Sequence, residues 1–532
     1  MKHQRLIFWS ITASLAGFLF GFDTIVISGA EQQFRKVWEL GGWVHGLTMS
    51  MALWGTVIGA IFGGIPTAKY GRKKTLIWVG VLYFISAVGS GIAPDVITFM
   101  IARFIGGLGV GASTVAAPMF ISEISPAKSR GKLAGMFQFN IVFGILIALV
   151  SNYFCAQWLD KEIAWRWMLG LEALPAVIYT VMAFTLPESP RWLITHAGKR
   201  KEGADIFRQI NPEFSDEQIE TLVAEVEQTK VGTEKTHGFW NRRLRIPIML
   251  AFLIAFFNQL SGINIIFYYA PRLLGLAGLE NALGASISLG VTNLIFTFVG
   301  LYLIDKLGRR SLLYIGSFGY ILSLGICSYA FMSTPAFQVV SAADDLIGKT
   351  QTVINAEKGD VFLNTADLDK ARKDVEGAKT ALTEASVTEG YKGVKIIIPT
   401  EAQAAETATL AKAGKASASE QLGSMSMVVL ICLIGFIAAH AVGQGAVIWV
   451  FISEIFPNDH RAAGQSLGSS THWVFAATLT FLFPIVMGVI SAGVLFAFFC
   501  FMMCLQLVWV KLMVPETKGI ELEDMSRKLG IE

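Results

Sequence analysis

The chain has 532 residues, 53% of them hydrophobic and 16% charged, with a formal net charge of +3 and a mean hydropathy of +0.55. A soluble domain carries about 25% charged residues, so this composition excludes an ordinary soluble protein and places the chain in a lipid bilayer. The small net charge is spread over loops with no basic stripe interleaved with aromatics, which excludes nucleic acid as a partner.

Apolar runs near the roughly 20 residues that cross a hydrocarbon core predict twelve spans. In chain order they bracket 6–29, 47–67, 75–93, 97–121, 133–154, 165–186, 245–270, 283–304, 311–333, 425–453, 464–489 and 491–513. The first starts behind Lys2 and Arg5 and lacks a small-residue cleavage site, so it reads as a retained helix and not a signal peptide. An even number of spans puts both termini on one side. Lys69, Arg72, Lys73 and Lys74 follow span 2, Lys128, Arg130 and Lys132 follow span 4, and Lys306, Arg309 and Arg310 follow span 8. Such an excess of Lys and Arg makes these loops, and with them both termini, cytoplasmic in a multi-pass protein of the cytoplasmic (inner) membrane.

After span 6 the chain turns charged and helix-prone over 187–244, and the run 215–226 opens with a capping-box spacing of Ser215, Asp216 and Gln218. Short amphipathic helices are expected there, joining two halves. Between spans 9 and 10, from about 334 to 424, the chain becomes polar on what parity makes the outward face. Within it 367–385 has good helix formers and 393–399 (GVKIIIP) is expected as a short strand. The segment as a whole reads as a small helical cap or as a largely disordered loop. It has no cysteine and no metal-ligand cluster, so it is assigned no chemistry. The five cysteines, Cys155, Cys327, Cys432, Cys500 and Cys504, lie in or beside spans without a CxxC pair and read as packing residues.

The string FISEI occurs at 120–124 and again at 451–455, followed both times by a proline two positions on and an arginine four positions beyond that. Gly71-Arg72-Lys73 echoes Gly308-Arg309-Arg310, and Pro187-Glu188-Ser189 echoes Pro515-Glu516-Thr517. These pairs mark an internal duplication. Gly71 and Gly308 are 237 residues apart but Phe120 and Phe451 are 331 apart, so about 94 residues entered the second half between Arg310 and Phe451. Two related apolar halves suggest a two-lobed membrane transporter with its site between the lobes.

Longer strings resemble one family, the sugar porter branch of the major facilitator superfamily. They are GFLFGFDTIVISG at 17–29, KYGRKK at 69–74, RFIGGLGVGASTVAAPMFISEISPAKSRG at 103–131, WRWM at 165–168, PESPRWL at 187–193, QLSGINIIFYYAP at 259–271, DKLGRR at 305–310, WVFISEIFP at 449–457 and PETKG at 515–519. The resemblance runs end to end except for the insertion. It implies an all-α membrane protein of twelve transmembrane helices in two pseudo-symmetric six-helix bundles, open alternately to each side. The expected organisation is an N-terminal bundle at 1–186, a cytoplasmic linker at 187–244, a C-terminal bundle at 245–513 carrying the insertion, and a cytoplasmic tail at 514–532. The family's activity implies a monomer that carries a monosaccharide, hexose or pentose, together with a proton. A passive facilitator of the same fold and a membrane sugar sensor are the alternatives.

Asp23 lies in a span otherwise free of charge, where a carboxylate costs roughly 3 kcal/mol on insertion scales. Arg103, near the start of span 4, reads as the other isolated charge of the first half. In proton-coupled members of the family the matching Asp and Arg form a pair that protonation breaks, and the resemblance carries that role to Asp23 and Arg103. A static ion pair orienting two helices is the alternative.

Sugar recognition needs amides and hydroxyls, with aromatic faces for the C–H side of the ring. Span 7 supplies Asn258, Gln259, Asn264 and Tyr268. Gln259 and Asn264 are five apart, roughly 140° around a straight helix, so they share a face only if the helix breaks, as the turn at Gly262 would allow. The resemblance adds Asn293, Phe20, Trp449 and Trp473 around the cavity. Four positions depart from it: Ile145 replaces a sugar-contacting glutamine, Asn258 replaces the first of a glutamine pair, Gln444 stands where xylose-transporting members have tryptophan, and His472 where they have glutamine. His472 is a sugar contact or a second titrating group, its unperturbed pKa being about 6.5.

At the cytoplasmic helix ends Arg72, Glu123, Arg130, Glu188, Arg309, Glu454 and Arg461 match family residues that latch the lobes together in the outward-open state. Positive-inside topology with solvated charges is the alternative, but acids contribute little to that rule, so it does not explain Glu123 and Glu454. Ala68 stands where the loop motif often has Asp, which Asp305 supplies in the second copy. The run 106–111 (GGLGVG) has no preceding strand and reads as close helix packing. No cofactor, catalytic metal or enzymatic residue is indicated.

Overall fold

Twelve helices of the computed structural model are long and apolar enough to cross a bilayer. They are Gln4–Val37, Gly42–Phe62, Arg72–Ile92, Val96–Ile124, Gly135–Trp158, Lys161–Phe184, Arg242–Tyr268, Ala282–Leu307, Arg309–Ser333, Ser424–Ile455, Arg461–Val486 and Ala492–Met513, and they are spans 1 to 12 below. The structure describes residues 4–126, 130–231, 238–358, 365–399, 402–457, 460–520 and 522–531; the side chains at 130–132, 134, 229–231, 355, 358, 522, 523 and 526 lie outside that description.

Helices are forced here because lipid offers the backbone no hydrogen bonds. Their ends are fixed by short polar side chains: Asp95 Oδ1 accepts from the N–H groups of Ile97 and Thr98 at 2.9 Å to start span 4, and Asn281 and Ser491 do the same for spans 8 and 12. In the first half span 1 runs along span 5 and span 4 lies between spans 2 and 3; in the second, span 9 lies between spans 10 and 12 and span 7 runs along span 11. Spans 2 and 11, and spans 5 and 8, form the seam between the two bundles. The glycines of 106–111 let span 4 approach span 2 closely. A Cβ added at Gly107 would stand 1.9 Å from the Ala52 carbonyl oxygen.

The linker forms helices Pro190–Thr195, Arg200–Ile210 and Asp216–Val231, with Ile194, Phe207, Ile219 and Val223 in a small core of their own. Its capping box is reciprocal: Ser215 N–H donates to Gln218 Oε1 and Gln218 N–H donates to Ser215 Oγ.

The insertion is a helical cap. Helix Pro335–Lys358 continues span 9 after a break at Thr334 and packs against Thr365–Val387 and Ala404–Leu422. Its apolar face joins the membrane core: Phe337 meets Phe331 at 4.6 Å between ring centroids, and Val339, Val340, Leu346 and Leu382 belong to the same buried cluster as spans 9, 10 and 12. The strand expected at 393–399 does not form. A strand needs a partner edge, and here the run straps the helices instead. Ile396 and Ile398 are buried, Ile397 between them is exposed, and the Ile396 N–H donates to Ser386 Oγ.

Candidate functional site

Asp23 and Arg103 meet at the centre of the first half, both sealed from solvent. Arg103 Nη1 donates to Asp23 Oδ1 at 2.6 Å and Nη2 donates to the Asp23 backbone carbonyl at 2.8 Å. Arg103 is not the only other intramembrane charge of this half, as sequence reading held. Glu172 is fully buried where span 6 turns between helices Lys161–Gly170 and Ala173–Phe184, and it lies in the field of Asp23 and Arg103. Neither of its carboxyl oxygens has a hydrogen-bond donor among the described residues. The signal was present: Glu172 sits inside the bracketed sixth span and costs as much there as Asp23 does in the first.

Span 7 breaks at Gly262, whose φ of +87° is left-handed and admits no side chain without strain. The break brings the separated amides together, with Asn264 Nδ2 donating to Gln259 Oε1 at 3.0 Å. Gln259 Nε2 donates in turn to Asn258 Oδ1 and lies 3.1 Å from both ring nitrogens of His472 on span 11. His472 stands between Trp449 and Trp473, and Phe20 of span 1 reaches Trp473 across the seam at 5.6 Å. Asn293 is buried on span 8, and Gln444 is buried with neither amide atom partnered among the described residues. Tyr268 of the second half is buried within electrostatic reach of Asp23 and Arg103. Ile145 is half-buried and packs against the apolar core.

At the end bearing the termini the duplication becomes a repeated corner. Arg72 forks onto Glu123 at 2.8 and 2.9 Å, and the backbone N–H groups of Arg72 and Lys73 donate to Glu188 Oε1. Arg309 forks onto Glu454 at 2.7 and 3.0 Å, and the N–H groups of Arg309 and Arg310 donate to Glu516. Gly71 and Gly308, at φ of +96° and +89°, leave room for these acids, since a Cβ would stand 2.1 Å from Glu188 Oε2 or 2.6 Å from Glu516 Oε2. Sequence reading named Glu188 but missed Glu516, though the repeat had aligned the two. Partial burial pushes the Glu516 carboxyl up, and the N–H groups of Lys518, Arg309, Arg310 and Thr517 outweigh it and hold the group below its ordinary range. Asp305 adds a contact to Arg309 at 3.4 Å, while Ala68 offers only its carbonyl, to Trp192 Nε1. Each of these ion pairs stays within one half. The Arg130 side chain lies outside the described residues, and Arg461 Nε and Nη2 have no partner among them.

A family model described as "Sugar (and other) transporter" matches residues 9–344 and 402–529. The chain belongs to the sugar transporter family. It is 30% identical to a glucose transport protein of Synechocystis sp. over 96% of this chain and 95% of that one. It is 28% identical to the D-xylose-proton symporter of Escherichia coli over 97% and 94%. Among solved structures it matches the inward open conformation of the xylose transporter XylE from E. coli with a TM-score of 0.72, 26% identity and coverage of 98% and 99%.

In this member of the sugar transporter family the halves meet tightly at the end bearing the cap. Trp43 packs edge-on to Phe481 at 5.3 Å, and a Cβ at Gly46 would stand 2.1 Å from the Phe481 carbonyl oxygen. The gap between 344 and 402 in the family match falls within the cap.

Proposed function

We propose that this chain is a monomeric proton-coupled monosaccharide symporter of the cytoplasmic membrane, taking a hexose or pentose by alternating access, with both termini in the cytoplasm. The observation that carries coupling is a buried arginine bonded to Asp23 with a second buried carboxyl, Glu172, in its field. Arg103 balances one negative charge, and a proton balances the second. With Asp23 protonated, Arg103 keeps its bond to the Asp23 backbone carbonyl but loses its ionic hold on span 1, and Tyr268 passes that change to the sugar-binding half. The sugar would lie on the amide run Asn258, Gln259 and Asn264, with His472, Asn293 and Gln444 as further hydrogen-bonding groups and Phe20, Trp449 and Trp473 covering its C–H face. The paired corners at Arg72, Glu123 and Glu188 and at Arg309, Glu454 and Glu516, together with Arg130 and Arg461, would meet across the seam when the cap end opens. The names of the glucose and xylose relatives support the substrate class.

One proton gains about 2.3 kcal/mol per 100 mV and about 1.4 kcal/mol per pH unit, enough for a sugar gradient of roughly a few hundredfold. The test is external alkalinisation when sugar is added to proteoliposomes. Wild type should take up protons with sugar and Asp23→Asn should not. Sugar entry into wild-type vesicles without proton uptake would refute coupling and leave a passive carrier.

A further inference from the structure

Beyond Asp23, span 1 carries a second acid. Glu31 is 1% exposed and lies at the cap end, where an isolated buried carboxylate costs several kcal/mol. An imidazole and a guanidinium answer it from different helices. His45 of span 2, itself fully buried, places Nε2 2.8 Å from Glu31 Oε1. Arg272 places Nη1 3.5 Å from the same oxygen, and it belongs to helix Ala270–Leu276, which extends span 7 of the other half.

The surroundings fix Arg272 in place. Its guanidinium lies over the Phe483 ring, which stacks on Tyr269 at 4.1 Å, and Tyr269 anchors its hydroxyl on the Thr480 carbonyl and faces His45. Arg35, one turn past Glu31, feels Glu31, Arg272 and Asp345 of the cap. Thus a first-half carboxylate holds a second-half cation at the end where the halves touch. The ion pairs at the opposite end each close on one half.

We propose that Glu31, His45 and Arg272 form a lock between the halves that holds the cap end shut and releases when Arg272 withdraws. The proposal rests on the alternating-access reading above, but not on proton coupling or on the identity of the sugar. A buried ion pair adds little net stability, yet losing one partner strands the other. A moving seam turns this into a latch. While the cap end is shut, Glu31 needs Arg272; once the halves part, water solvates both, so the pair biases the closed state without preventing the open one. His45 belongs to the same half as Glu31 and acts as a positioning residue, keeping the carboxylate aimed at the seam.

The test uses the full chain in nanodiscs, without sugar or a proton gradient. Spin labels go on cysteines replacing the exposed Trp158 and Val489, at the cap ends of spans 5 and 11, in a background lacking the five native cysteines. Electron–electron distances then report the share of molecules open at the cap end. Arg272→Gln should raise the open-to-closed ratio roughly tenfold, in the range of ordinary coupling energies, and Glu31→Gln should do the same. Arg272→Lys, which keeps the charge, should stay close to wild type, and His45→Gln should fall between. Arg272 is partly exposed, so Arg272→Gln should fold even if Glu31→Gln does not. A folded Arg272→Gln with the wild-type distance distribution would overturn the lock, as would an Arg272→Lys indistinguishable from Arg272→Gln. Because no proton gradient is present, failure of coupling in the alkalinisation assay would leave this readout untouched.

Discussion

Arg103 is tied to two groups of Asp23, the carboxylate at 2.6 and 3.5 Å and the backbone carbonyl at 2.8 Å. Only the carboxylate bonds depend on ionisation. Asp23→Asn should therefore fold and keep spans 1 and 4 together, while removing the charge whose neutralisation drives coupling. Counterflow of labelled sugar should persist in the variant, and the accumulation ratio under an imposed proton gradient should fall from severalfold to about one. Loss of counterflow together with accumulation would show that the acid is needed for every step and not for coupling alone.

His472 occupies the centre of the proposed sugar site, between two tryptophans and against Gln259. His472→Phe leaves the Gln259 amide short of a partner and should raise KM by about 5- to 30-fold, the effect of losing a buried hydrogen bond worth roughly 1–2 kcal/mol. His472→Gln restores a polar side chain and should recover most of that loss. Initial-rate uptake against sugar concentration distinguishes the two. A wild-type KM in both variants would place His472 outside the sugar contacts.

The spans were legible because lipid thickness dictates their length, and the insertion was legible because a duplicated chain carries its own ruler. Pairings between distant helices were not. Glu31 lies two residues beyond the first bracket, and nothing in its neighbourhood along the chain announces Arg272, 241 positions away. Glu172 was readable as a charge in a span, but its place beside Asp23 depends on how span 6 turns. The break at Gly262 was readable, since two amides five apart in a polar run make sense only on a broken helix. The run 393–399 was misread because strand propensity does not say whether an edge is available.

Glu516 makes an acid-sensitive corner in the second half. Its carboxyl is held below its ordinary range by four backbone N–H groups, which outweigh the opposing effect of partial burial. A depressed acid stabilises the fold above its unfolded pKa, about 4.3, and loses that contribution as pH falls through the folded value. The melting temperature of wild type should therefore drop more steeply below about pH 4.5 than that of Glu516→Gln, which should be less stable at pH 7 and flatter in acid. Parallel curves for the two proteins would mean that Glu516 contributes no ionisation-linked stability.

The cap offers a test on adjacent residues. Ile396 is 7% exposed and its neighbour Ile397 is 74% exposed, although both stand in one apolar run. Ile396 is buried against the cap helices, and a Cβ on Gly414 would strike its side chain. Ile396→Ser removes buried apolar volume and adds a hydroxyl, which should cost about 2–4 kcal/mol, whereas Ile397→Ser should change stability by no more than about 0.5 kcal/mol. Deleting 336–422 is the larger version of the same experiment. Because Phe337, Val339 and Val340 share a core with the membrane helices, deletion should expose that core and lower the melting temperature by roughly 10 °C, instead of leaving the rest unaffected as a peripheral loop would. Thermal unfolding of the three variants in detergent measures all of this. Equal loss in the two single substitutions would contradict the packing of the strap, and an unchanged melting temperature on deletion would separate the cap from the bundle.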